Sequence, residues 1–256
     1  MLRKLVHATR HHDWFTVFVE IVVVVVGIFL ALQADSWNDH RQERVKEQEY
    51  LERIQRAVTN DLESWEFCLT LASLRRDYGQ LILESVRNPE IVEKDPSGYF
   101  MAVRTAGWTS GGVADAVAFD ELKFGGELGI IRNVDVRQAL AEYYNDASTR
   151  QQYDPIRLET SSRYHQAVER LLKPDEEYRM VAAERPMVPD LGNPHFSVEE
   201  ALQLRERISQ DKNYLASVTF MTSQRLPTFN CTASKGRAEN VLKILDRELS
   251  KGARSP

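Results

Sequence analysis

The sequence is short of helix breakers and of recognisable chemistry. Twelve glycines and nine prolines in 256 residues are few for the length. No run of alternating apolar and polar residues is long enough for a strand of any size, which argues against a sheet. No His-Glu-x-x-His, Cys-x-x-Cys or Gly-x-Ser-x-Gly motif occurs, so no metalloprotease, thiol-redox or serine-hydrolase site is legible. Dense Lys/Arg runs are also missing, and a net charge of -5 argues against general nucleic-acid binding, which needs a basic face. The two cysteines, Cys68 and Cys231, are too few for a disulfide framework. They allow one disulfide in an oxidising compartment or two buried thiols in a reducing one. The histidines are six and scattered; His11-His12-Asp13 lies together but supplies too few ligands for a metal. Neither an enzymatic activity nor a cofactor is expected.

One long hydrophobic run is present. From Ile21 to Leu32 every residue is apolar apart from Gly27, and the whole stretch 15–34 makes a helix of about 30 Å at ~1.5 Å per residue, the hydrocarbon thickness of a bilayer. Trp14 and Trp37 stand just outside its ends, at interfacial positions. A cleaved signal peptide has a shorter apolar core and a small-x-small cleavage site. Leu32-Gln33-Ala34 instead runs straight into Asp35-Ser36-Trp37, so an uncleaved single-pass anchor after a 14-residue tail is expected. Lys and Arg are almost evenly divided across the span: Arg3, Lys4 and Arg10 before it, Arg41, Arg44 and Lys46 after it. The short cation-bearing N-terminus then favours a cytoplasmic N-terminus with the rest exported.

Within the span, Glu20, Val24, Gly27, Ala31 and Ala34 step by four, three, four and three, so they share one helix face. Gly27-x-x-x-Ala31 on that face is a small-xxx-small packing pattern. A carboxylate in lipid costs several kcal/mol, but Glu20 is only five residues past Phe15, within reach of the headgroups by snorkelling. The favoured reading is a helix–helix contact, in a homo-oligomer or with another membrane protein. A lipid-facing Glu20 without a role, or a proton path in an oligomer, are the alternatives.

After the span the chain is water-soluble, with 28% charged residues and a mean hydropathy of -0.42 overall. A soluble domain over 35–250 follows, opening with a long helix at 37–87 continuous with the span. Leu51, Ile54, Val58, Leu62, Trp65, Leu69 and Ala72 form its apolar stripe, the core face of a bundle or, alternatively, a coiled-coil seam. Short helices are expected near 99–108 and 114–124, ended by glycines. These glycines (Gly111-Gly112, Gly125-Gly126-x-x-Gly129) lack the strand and the Gly-Lys-Ser/Thr of a phosphate loop. Asn133 fits as the cap of a long helix over 134–172, kinked or divided at Pro155, with one ring of Tyr143-Tyr144 packing inward. The stretch 174–196 reads as irregular. Ser197-x-x-Glu200 is a capping box opening a helix to about 225, and a last helix covers 235–249 before a disordered tail at 251–256. The expected fold is all-α: an N-terminal transmembrane helix, a stalk, and a bundle of about five or six helices.

Three stretches resemble an uncharacterised family of bacterial single-pass membrane proteins: 19–39 (VEIVVVVVGIFLALQADSWND), 119–145 (FDELKFGGELGIIRNVDVRQALAEYYN) and, less specifically, 242–249 (LKILDREL). The resemblance implies an inner-membrane protein with a helical soluble domain and brings no activity with it. Two function classes follow. The preferred one is a membrane-anchored interaction protein, in contact with the lipid bilayer and acting on protein or envelope partners. The other is an extracytoplasmic sensory or small-ligand-binding bundle that acts through a partner, its ligand unspecified.

Overall fold

The computed structural model describes residues 13–183 and 195–252. The expectations for the N-terminal tail, for residues 184–194 and for the tail beyond 252 lie outside the described residues. So does the side chain of Trp14. Among the described residues there is no strand, and the fold is an all-α bundle built along one helix.

That helix, α1 (Asp13–Ser85), runs unbroken for 73 residues, so the apolar stretch and the stalk share one axis. No proline enters before Pro89, and every backbone donor past the first turn keeps its partner four residues back. Nine more helices follow among the described residues: α2 (Glu90–Lys94), α3 (Pro96–Thr105), α4 (Val117–Phe124), α5 (Val134–Gln151), α6 (Asp154–Leu171), α7 (Pro174–Ala183), α8 (Val198–Gln210), α9 (Lys212–Ser223) and α10 (Leu226–Gly252). A single 3-10 turn, Leu128–Ile130, precedes α5. α10 lies antiparallel along α1, tied by Gln55 to Asp246 (2.5 Å) and Lys235 to Glu66 (2.9 Å).

Several boundaries differ from those expected, each for a local reason. The 134–172 stretch is two helices, because Pro155 occupies the first turn of α6, where its missing N–H is harmless. The 197–225 stretch is also two helices. Asp211 leaves helical geometry and its carboxylate accepts from the N–H groups of Asn213 and Tyr214, capping α9. The irregular stretch after Pro174 begins with α7, and Pro227 serves as a first-turn residue of α10 rather than only a stop. The helices therefore outnumber the five or six expected. Asn133 caps α5 and Ser197 makes its reciprocal box with Glu200, both as expected.

Two cores hang on α1. The proximal one, nearer the apolar stretch, gathers Leu51, Ile54, Val58 and Trp65 of α1 with α4, α5 and α10. The distal one gathers Ile82 with α2, α3 and α6 to α9, around Phe100, Tyr164, Leu204 and Tyr214. Burial of these side chains, at roughly 1.5–3 kcal/mol each, holds the short helices that propensity alone would not. At its far end α1 is capped by Arg205 of α8, which donates to the carbonyls of Ser85 (2.7 Å) and Val86 (2.6 Å).

The stripe on α1 is displaced from its expected line. Leu62, Leu69 and Ala72 are half-buried, while Asp61, Cys68, Leu71 and Arg75 take the deep positions. Three polar or reactive residues, Asp61, Cys68 and Arg75, therefore stand in the seam.

Candidate functional site

The anchor face is open along its length. Glu20, Val24, Gly27, Ala31 and Ala34 are all exposed, and a Cβ built on Gly27 meets nothing within 4 Å. No described part of the chain covers the stretch. Its 18-residue window has a mean hydropathy of 2.2, and by length and composition it is the one helix among the described residues able to cross a membrane. Trp37 is exposed just beyond it.

Nine residues past Ala34, at about 13 Å along the axis, the bundle closes on α1. The loop after α4 grips the helix as a collar. Lys46 donates to both carboxylate oxygens of Glu127 (2.8 and 2.9 Å). Arg132 pairs with Glu43 (3.1 Å), and its backbone N–H donates to Glu47 (2.7 Å). Arg53 pairs with Glu121 at 2.9 Å. Asn133, besides capping α5, donates to Glu248 of α10 at 2.7 Å, which together with Lys251 holds that carboxylate below its ordinary range. Between Asp39–Lys46 of α1 and residues 126–132 lies an open polar groove of about 610 Å³. Residues 119–145 form most of α4, the collar and most of α5, and 242–249 reaches them through Glu248.

Above the collar sits a buried polar network that sequence reasoning did not anticipate. Asp61 is 3% exposed. Its carboxylate accepts from the Tyr143 hydroxyl (2.7 Å) and from the backbone N–H of Asp115 (2.8 Å), and Tyr143 accepts from Trp65 Nε1 (3.1 Å). Burial raises the Asp61 carboxyl above its ordinary range, against the lowering by these two donors. Only an acidic residue at a seam position of α1 signalled this network. Both Tyr143 and Tyr144 pack inward, Tyr144 stacking on Phe119 with centroids 4.7 Å apart.

The cysteines, 163 residues apart in sequence, meet where α1 and α10 run side by side. Their Cα atoms are 6.1 Å apart and the sulfurs are joined as a disulfide. The glycine-rich loop next to them works by close approach rather than by holding phosphate. Gly112, at φ 68°, lies against Trp65, where a Cβ would fall 2.1 Å from the ring. Among the described residues no group of three or more His, Cys, Asp and Glu side chains is arranged to hold a metal.

No protein-family model, curated protein or solved structure matches the chain. The resemblance in 19–39, 119–145 and 242–249 therefore rests on those residues alone.

Proposed function

We propose that the protein is a single-pass membrane-anchored interaction protein, and that it joins its partner, a second copy or another membrane protein, through the Glu20–Gly27–Ala31 face. The observation that carries this reading is the open small-residue face on a helix continuous with the bundle. Transmembrane helices associate by close packing of small residues, and polar side chains within the contact find partners there. Glu20, at the rim of that face, supplies such a group. The collar lies about 13 Å above the span and offers polar contacts to the partner's juxtamembrane segment.

The cysteine pair supports an exported bundle, since disulfides persist in oxidising compartments. With the family resemblance, that gives a bacterial inner-membrane protein with a cytoplasmic N-terminus and an extracytoplasmic domain. Lysine-directed crosslinking of the full chain in its membrane tests the contact. Wild type gives a discrete crosslinked species, and Gly27→Leu and Glu20→Gln each reduce it several-fold. Unchanged crosslinking and unchanged complex size in both variants would discard the anchor-face reading. A reporter active only outside the cytoplasm, fused after Pro256, gives signal if the bundle is exported.

A further inference from the structure

Between the two cores α1 has a waist, and a cation is buried in it. Arg75 is 5% exposed. Its Nε has no hydrogen-bond partner, and its Nη2 makes only a long contact of 3.4 Å with Gln224 at the end of α9. Among the described residues no carboxylate pairs with it. The charge that acts on it most strongly is another cation, Arg157 of α6. Buried arginines are ordinarily paired, because a guanidinium stripped of water and given no anion is among the least favourable arrangements in a protein interior. Burial first and Arg157 second push the Arg75 pKa below the ordinary arginine range, and the attraction of an anion held beside Arg75 opposes both.

Arg157 does not fill that role for itself. Its Nε and Nη2 both contact a single oxygen, Asp154 Oδ1, at 3.0 Å. The site therefore holds two guanidiniums against one carboxylate. Gly111 comes so close to this pair that a Cβ would fall 2.6 Å from Asp154 Oδ1 and 3.2 Å from Arg157 Nη2, so the loop backbone forms a wall of the site. Arg75 is sealed, whereas Asp154, Arg157, Gly111 and Gln224 are part-exposed, which leaves an approach from that side.

We propose that Arg75 and Arg157 bind a small soluble oxyanion, a carboxylate or a phosphate, with Gln224 as a further polar contact. Planar guanidiniums match both anion classes by paired N–H donors. The site lies 41 residues past Ala34, about 60 Å along a straight α1, so headgroups of the anchoring bilayer do not reach it. This is a ligand site on the bundle and is independent of the anchor-face contact.

Thermal unfolding of the detergent-solubilised full chain tests the site, with sodium phosphate or sodium acetate replacing sodium chloride at constant ionic strength. In wild type the midpoint rises by several degrees and saturates with concentration, as expected for a ligand that binds only the folded state. A response to phosphate alone, to acetate alone or to both assigns the anion class. Arg75→Met loses the response, and in chloride it is at least as stable as wild type because the unpaired charge is gone. Arg157→Gln weakens the apparent affinity roughly tenfold or more, the loss of a charged donor pair. It carries the same test if Arg75→Met does not fold. A wild-type midpoint that ignores both anions, or variants that respond as wild type does, would overturn the proposal.

Discussion

The two cores on α1 are built by different means. The distal core is closed mostly by helices consecutive in the chain, α6 to α9, and the hydrogen bonds of its buried polar groups span 31 to 61 residues. Tyr164 donates to the Val103 carbonyl (2.6 Å) and shares a hydrogen bond with Tyr214 (2.9 Å). Glu176, almost fully buried, accepts twice from Arg207 (2.8 and 2.9 Å). The proximal core instead joins residues far apart in sequence. Asp61 meets Tyr143, Asn133 meets Glu248, and Cys68 is bonded to Cys231. A core assembled from distant pieces pays more loop-closure entropy before its contacts form. The covalent tie and the buried network both lie where that cost is highest. The comparison teaches that the proximal half is the one in need of fastening, and it is also the half that faces the anchor.

The sharpest way to break this comparison is Trp65→Ala. Removing a fully buried tryptophan costs about 3–5 kcal/mol, and it also leaves the Tyr143 hydroxyl without the indole donor. Hydrogen exchange read by mass spectrometry is expected to lose protection in α5 and α10 while α8 and α9 keep theirs. Equal loss in both sets would mean that the cores open as one unit. Next in size is the disulfide. Cys231→Ser, or reduction of the intact chain, removes roughly 2–4 kcal/mol, read as a lower denaturant midpoint with deprotection first in α10. An unchanged midpoint would remove the covalent tie from the account.

The smallest effect lies in the distal half. Arg179 first, then the Ser197 backbone N–H, hold the Glu200 carboxyl down to about 2. A carboxylate whose folded pKa is depressed stabilises the fold above its unfolded value, near 4.3, and that contribution is lost as pH falls from there towards 2. Because the Arg179–Glu200 pair is about one-third exposed, the loss is a fraction of a kcal/mol after solvent screening. Loosening of the α8 N-terminus between pH 4.3 and 2, seen as faster amide exchange there, is expected in wild type and absent in Glu200→Gln. Loosening at the same pH in Glu200→Gln would assign it to another group.

Much of the fold could be read in advance where the cause is local. The apolar run, the helical course of α1, the Asn133 cap and the Ser197 box each act within a few residues, and each is found in place. That Glu20, Val24, Gly27, Ala31 and Ala34 share a helix face was legible for the same reason, since a three-four spacing defines a helix face on its own. The buried seam of Asp61, Cys68 and Arg75 was hidden because its reasons lie on other helices. Asp61 is tolerable there only with Tyr143 and the Asp115 backbone, 82 and 54 residues away. Arg75 lies three residues past Ala72, where the expected stripe ends, so its burial was not legible from that stripe. The division at Asp211 was missed because an aspartate in mid-helix reads as solvated until its side chain is seen bonding to the next turn.

The unbroken course of α1 has a mechanical consequence. With 73 residues at ~1.5 Å each, it is a shaft of about 110 Å with no proline to act as a universal joint. If the apolar stretch sits in lipid, a one-residue change in its seating turns the shaft by about 100°. The collar and the disulfide clamp the bundle to that shaft on opposite sides of the proximal core, so such a turn carries α4, α5 and α10 with it instead of being absorbed in a linker.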